Sequence, residues 1–205
     1  NVDIISSEVR RKRYAKIKLP FPVLNPIFYY LILNSKPSLK QTIDNILFYK
    51  SKYRMLDDGS LEKINPLEDI SESDTILYGL SGIKLLVEKL CETSKSEDFR
   101  FIKENLHLLT INNALVIPPD FRNFSKSSTG KILMDKINQH YTELLFRISR
   151  INKLSFKLTE EQEVFKNYFR SIQFFTNNIY DYVFERLSKK KGLIRKNILN
   201  LTFVM

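Results

Sequence analysis

Between residues 125 and 132 the chain reads S-K-S-S-T-G-K-I. Hydroxyls followed by Gly-Lys are what phosphate-holding loops use, but such a loop also needs an opening glycine and a hydroxyl after the lysine. Ser125 and Ile132 stand at those two places, which excludes that chemistry. His107 and His140 have no carboxylate or cysteine at ligand spacing and read as packing or surface residues. Asp57 and Asp58 precede Gly59, the signature of a turn rather than a metal pair. Cys91 is the single cysteine and ends an apolar helical stretch, so neither a disulfide framework nor a cysteine zinc site arises within the chain. With no nucleophile elbow or triad spacing, no catalytic residue and no metal ligand is expected here.

A second stretch carries a different chemistry. Lys189, Lys190, Lys191, Arg195 and Lys196 crowd around Gly192, interleaved with Leu193, Ile194, Ile198 and Leu199. Cations on a segment that also packs are suited to contacting phosphates. The whole chain agrees, since 33 Lys and Arg against 23 Asp and Glu leave a net charge of +10, which points to a polyanionic partner. At 43% hydrophobic, with 15 Phe and 10 Tyr among 205 residues, the chain can bury an aromatic core. No apolar segment reaches membrane-spanning length, and residues 8–16 are basic where a signal peptide would be apolar. A soluble, cytoplasmic chain is expected, and its heavy use of Ile, Lys and Asn fits an AT-rich genome.

The elements that must carry these residues can be read from periodicity. Ala15, Ile17 and Leu19 alternate with Lys16 and Lys18, a strand covered on one face, and Pro20, Pro22 and Pro26 keep the next segment extended or turning. Residues 39–56 read as a short helix passing into a strand that ends at the Asp57–Gly59 turn. Leu80, Ile83, Leu86, Val87 and Leu90 share a helical face, and residues 108–117 are strand-like until Pro118 and Pro119 stop them. Ile137, Tyr141, Leu144, Ile148 and Ile151 are spaced 4, 3, 4 and 3. Phe165, Tyr168, Ile172, Phe175, Ile179 and Tyr182 are spaced 3, 4, 3, 4 and 3, with a capping-box start at Thr159–Gln162. Two such seams fit either two core helices of a bundle or an antiparallel helical hairpin with arms of roughly 30 Å. Its outward faces hold Arg147, Arg150, Lys153, Lys157, Lys166 and Arg170, which suits a protruding arm. The expected fold is mainly α with short β segments (α+β).

Two families share motifs with the chain. S-K-S-S-T-G-K-I-L resembles the K-T-x-S/T-G-K-I signature of acyl-adenylate-forming synthetases, in which the lysine holds carboxylate and phosphate. There the motif lies near the chain end, whereas here over seventy residues follow.

The other resemblance recurs in order along nearly the whole sequence, to β′, the largest subunit of multi-subunit DNA-dependent RNA polymerases. N-V-D-I-I-S-S-E-V-R-R-K-R-Y-A-K-I-K-L-P-F-P-V is similar to G-V-E-V-T-x-x-x-V-R-R-E-R-x-x-x-I-x-L-x-x-P-V, matching at Val9, Arg10, Arg11, Arg13, Ile17, Leu19, Pro22 and Val23. N-I-L-F-Y-K-S resembles R-V-L-Y-F-E-S, and G-L-S-G-I-K-L-L resembles G-A-x-A-I-x-x-L-L. I-P-P-D-F-R-N looks like x-P-P-D-L-R-P, the start of the lid loop. N-Q-H-Y-T-E-L-L-F-R and N-Y-F-R-S-I-Q-F-F-T-N-N-I-Y-D resemble the two arms of the clamp coiled coil. K-K-G-L-I-R-K-N-I-L looks like K-Q-G-R-F-R-Q-N-L-L, the switch segment at the clamp base.

This resemblance implies a clamp-type domain: clamp core over 1–117, a lid-like loop over 118–130, the coiled-coil hairpin over 131–187 and a basic switch-like segment over 188–205. It implies nucleic-acid contacts by Arg122 and Lys126 in the lid and by Lys189, Lys190, Lys191, Arg195 and Lys196 in the switch. Promoter-factor docking would fall to Arg147, Arg150 and Arg170. The implied partners are β-like and remaining β′-like subunits, a sigma-like promoter-specificity factor, template DNA and the RNA–DNA hybrid, with no membrane. The three-aspartate Mg²⁺ loop of the family has no equivalent here, so the chain holds no cofactor and Mg²⁺ is expected only in the assembled nucleotidyltransferase.

The departures from the family are specific. Tyr168 and Phe169 replace a Glu-Lys pair, the rudder loop is all but missing, residues 200–205 abandon the family sequence, and the zinc-ribbon cysteines would precede Asn1. Together with the residue usage they suggest a divergent, split, phage-encoded β′. The remaining alternatives are the tail of an adenylate-forming enzyme and a stand-alone basic coiled-coil DNA-binding protein.

Overall fold

The computed structural model describes residues 15–65, 67–68, 70–71, 73–117, 124–130 and 132–188. Helices dominate, with a few short strands between them, as the periodicity implies. The chain forms two compact units, each drawn from separated stretches.

The first unit comprises Pro22–Ile111 and Phe156–Arg170. It begins at the end of β1 (Ala15–Leu24), whose expected alternation holds in part: Leu19 is buried, Ile17 half-buried and Lys16 and Lys18 exposed, but Ala15 is exposed as well. Pro20 and Pro22 lie inside this strand, and Pro26 opens α1 (Pro26–Ser35). Proline suits a first helical turn because its missing N–H needs no partner there. The Asn25 side chain caps α1 by accepting from the Ile27 N–H, and its amide donates to the Leu108 carbonyl at 2.9 Å.

A short helix, α2 (Lys40–Leu47), is followed by β2 (Tyr53–Met55), β3 (Leu61–Lys63) and β4 (Thr75–Leu77). These strands form an antiparallel sheet in the order β3-β2-β4, with Tyr53 opposite both Lys63 and Leu77. Helix α3 (Gly79–Thr93) packs on α2 and buries Leu80, Ile83, Leu86 and Val87, the face read from sequence; Leu90 is half-buried. Cys91 is buried, and burial pushes its thiol pKa up, as befits a small core residue. Helix α4 (Glu97–Glu104) is capped by Ser96 and seats Phe99 and Ile102 against α1 and α3.

The second unit contains the described parts of Asn1–Phe21, Asn112–Ser155 and Ser171–Met205. Strand β5 (Thr110–Val116) pairs with β1. Residues 124–130, expected as part of a loop, instead enter a β-hairpin. In it β6 (Phe124–Lys126) pairs with β7 (Ile132–Met134), Lys126 lying opposite Ile132. The turn closes through the Gly130 N–H donating to the Ser127 carbonyl, with Gly130 at φ 78°. Such a φ is open to glycine at no steric cost, which is how a string of hydroxyl residues comes to end a hairpin.

Helix α5 (Lys136–Asn152) starts at Asp135, whose carboxylate accepts from the Ile137 N–H. Ile137, Tyr141, Leu144 and Ile148 are buried and Ile151 half-buried, as the spacing requires. The seam of α6 (Glu163–Ser188) is corrected. Phe165, Ile172 and Ile179 are buried as expected, but Phe169 and Thr176 fill the intervening places while Tyr168, Phe175 and Tyr182 stay half-buried. Tyrosine favours a position with its hydroxyl near water or a polar partner, and Tyr182 donates to Asp135. Thr176 tolerates full burial because its hydroxyl donates to the Ile172 carbonyl at 2.7 Å. The Tyr182–Asp135 bond sets that part of α6 beside the start of α5.

Thr159 and Gln162 bond each other as a capping box would, Thr159 N–H to Gln162 Oε1 at 3.2 Å, one turn ahead of the helix proper. The start of α6 is not a free arm. Phe156–Arg170 belongs with the first unit, where Phe165 and Phe169 are buried against Tyr49.

Candidate nucleic-acid interface

Of the seven cations expected on nucleic acid, Lys126 is described. It ends β6, exposed, beside the polar turn in which the Ser127 and Thr129 hydroxyls lie 2.7 Å apart. Arg122, Lys189, Lys190, Lys191, Arg195 and Lys196 lie outside the described residues.

Arg150 projects from the exposed side of α5, while Arg147 is half-buried at the flank of the buried stripe, with its Nε covered. Both guanidinium groups approach the Phe146 ring, at 5.9 and 5.3 Å from its centroid, and Arg147 also pairs with Glu143 at 3.7 Å. Phe146 is 52% exposed. An aromatic ring held in water between two arginines has the composition of an interface anchor. Phe146 was not singled out from sequence; the available signal was an aromatic residue between the seam positions Leu144 and Ile148.

Arg170, the third expected docking residue, turns its donors inward. Nε donates to the Phe48 carbonyl at 2.7 Å and Nη2 to the Tyr49 carbonyl at 3.0 Å, while Nη1 reaches Asn167 at 2.8 Å and Glu163 at 3.1 Å. Those carbonyls end α2, where orphan acceptors and the negative end of the helix dipole favour a cation.

That helix end has a defined geometry. The Tyr49 N–H donates to the Ile46 carbonyl and the Lys50 N–H to the Asn45 carbonyl, the paired bonds of a Schellman cap. The residue in the left-handed position is Tyr49 at φ 54°, where glycine is usual. Its ring is held by the edges of Tyr78, Phe165 and Phe169, with centroids 5.1, 6.1 and 5.3 Å away. Burial and the nearby Glu160 carboxylate push the Tyr49 phenol pKa up to about 12.

His107 is exposed. His140 is half-buried and has its pKa lowered by burial and by Lys136, against an opposing effect of Asp181. Asp58 accepts from the Ser60 N–H and hydroxyl, the turn chemistry expected of it. Among the described residues no group of three His, Cys, Asp or Glu is placed to hold a metal ion, and no helix is long and apolar enough to cross a membrane.

No protein-family model matches the chain. It is 24% identical over 257 aligned positions to the DNA-directed RNA polymerase subunit beta' of Borrelia recurrentis (strain A1), covering 97% of this chain and 18% of that protein. The chain is similar to one part of β′. The same subunit of Borreliella burgdorferi (strain ZS7) is 23% identical with the same coverage, and that of Treponema denticola is 23% identical over 94% of this chain and 16% of its own length. The chain thus spans less than a fifth of the curated relatives it matches. Because 257 positions are aligned to 205 residues, the Borrelia recurrentis subunit carries more than fifty residues within the matched span that this chain lacks.

Proposed function

We propose that this chain is the clamp, lid and docking-hairpin part of a β′-like subunit of a multi-subunit DNA-dependent RNA polymerase, contributing binding surfaces and no catalytic group. The observation that carries this reading is the similarity to β′ along 97% of the chain, in one order from end to end. Net charge supplies the physical complement, since a basic protein beside template DNA and an RNA–DNA hybrid is held by phosphate contacts. In this reading Lys126 and Arg122 face the hybrid from the lid, and Lys189, Lys190, Lys191, Arg195 and Lys196 hold the template backbone. Catalysis by Mg²⁺ is supplied by other parts of the polymerase.

The α5 face of Phe146, Arg147 and Arg150 is the docking surface for a sigma-like factor. Arg170 ties the start of α6 to the end of α2 instead of touching that factor, because its donors are spent on Phe48, Tyr49, Asn167 and Glu163. The reading as the tail of an adenylate-forming enzyme has only residues 125–133 behind it, of which the described ones belong to a β-hairpin.

The test is reconstitution. The tagged chain, purified from its native source, is expected to bring down β-like and catalytic β′-like polypeptides, and promoter-dependent transcription is expected to vanish when it is omitted. Full transcription without it would end the proposal.

A further inference from the structure

We propose a second phosphate-binding surface, separate from the lid and switch cations, formed by Lys50, Lys52 and Lys166 around the rings of Phe48 and Tyr78. Its ligand is the phosphodiester backbone of a nucleic acid. Lys52 Nζ and Lys166 Nζ lie 5.7 and 5.4 Å from the Tyr78 ring centroid, and Lys50 Nζ lies 5.8 Å from that of Phe48. Ammonium groups at these distances are attracted to the ring and held in place, and the Lys166 side chain, 16% exposed, is the most covered of the three. Lys50 and Lys52 are exposed, and among the described residues neither makes an ion pair. Lys166 has only a loose 3.8 Å pair with Glu163, which a phosphate can replace.

The cluster is built by the fold. The Lys50 N–H is fixed at 2.8 Å to the Asn45 carbonyl by the cap that ends α2, and the Lys52 carbonyl accepts from the Ile64 N–H at 3.0 Å. Lys166 is brought in from α6, one turn before Arg170, whose bonds to Phe48 and Tyr49 clamp that helix to the same corner. Tyr78 is held by its hydroxyl donating to the Tyr49 carbonyl at 3.2 Å. Three cations from two distant stretches, on a pinned backbone and two ordered rings, are preorganised for a multiply charged partner. Lys50 also stands where the motif R-V-L-Y-F-E-S has Glu, so this surface carries a charge opposite to the one the motif would place there. A nucleic acid is the partner that fits, because a phosphodiester backbone presents repeated charges that separate cations can meet and the chain as a whole carries a net charge of +10.

The test measures anisotropy of labelled duplex DNA, single-stranded DNA and RNA–DNA hybrid with the full 205-residue chain across a salt series; the three arms show which backbone is preferred. Lys50→Glu/Lys52→Glu is expected to weaken binding at least ~10-fold at low salt and to reduce the salt slope by about two. Lys84→Glu/Lys103→Glu changes net charge equally on exposed positions elsewhere and is expected to cost less than ~3-fold. Tyr78→Leu should weaken binding without changing the slope, and Tyr78→Phe, which keeps the ring but loses the bond to the Tyr49 carbonyl, should recover most of it, since the ring positions the ammonium groups without contacting phosphate. Equal losses in the two double variants, no loss in either, or no binding by the parent chain would each overturn the proposal. So would displacement by poly-glutamate as efficiently as by oligonucleotide. The measurement needs no other subunit, so it stands or falls apart from polymerase reconstitution, and Lys189→Ala/Lys190→Ala/Lys191→Ala separates the two surfaces.

Discussion

Arg170 shows how one side chain can be assigned opposite roles by sequence and by geometry. Its position in the second-arm motif implies an outward docking contact, yet its guanidinium satisfies two carbonyls at the end of α2. Charge-assisted bonds of this kind are worth more than neutral ones, and removing the donor strands its acceptors. Arg170→Ala is therefore expected to destabilise the protein by about 2 kcal/mol. Arg170→Lys should recover less than half of that, because a single ammonium cannot reproduce the fork that spans both carbonyls. Denaturant midpoints at constant slope read the effect. An unchanged midpoint with weakened partner binding would return Arg170 to the surface role. Arg150, which is exposed beside Phe146, should show the reverse: unchanged stability and altered binding.

Glycines separate what an element needs from its own backbone and what its neighbours impose. Gly79 at φ 66° and Gly130 at φ 78° share the left-handed conformation, but their surroundings differ. A Cβ on Gly79 would lie 2.2 Å from Cε1 of Tyr49, whereas one on Gly130 would meet nothing within 4 Å. Gly130→Ala should thus cost about 1 kcal/mol of backbone strain alone. Gly79→Ala adds a clash with a buried ring and should cost ~3 kcal/mol. Thermal unfolding of the two variants side by side distinguishes these sources, and equal losses would mean that the Tyr49 ring moves freely. The same contrast explains what could be read in advance. Periodicity exposed α3 and the α5 seam because each buries one face of a regular pattern. Helix α1 went unread because P-I-F-Y-Y-L-I-L is apolar almost throughout and has no polar face to set a period. The α6 seam was misplaced because two candidate stripes share Phe165, Ile172 and Ile179, and the choice between Tyr168 and Phe169 is made by Tyr49, over a hundred residues away. The β6–β7 hairpin was hidden by a turn composition that also fits a loop. No spacing rule joins Lys50 and Lys52 to Lys166; only the Arg170 clamp does.

Charge acts at the scale of the whole molecule. The acidic residues are not spread evenly: Asp57, Asp58, Glu62, Glu68 and Asp74 fall around the β2–β4 sheet, three of them paired to Arg54 at 2.9–3.3 Å. The rest of the chain therefore carries a positive excess greater than the net +10. Like charges repel in the folded state, and salt screens that repulsion over a Debye length of about 8 Å at physiological ionic strength. Raising NaCl from low to moderate concentration should stabilise the free protein by about 1 kcal/mol, a rise of ~2–4 °C in Tm. A polyanion that binds only the folded chain should raise Tm further at low salt and lose that effect as salt increases. The two dependences run in opposite directions, so one salt series of melts, with and without duplex DNA, separates self-repulsion from specific binding. If DNA leaves Tm unchanged at every salt concentration, the positive excess is not a nucleic-acid surface, and both the switch cations and the Lys50 cluster lose their common rationale.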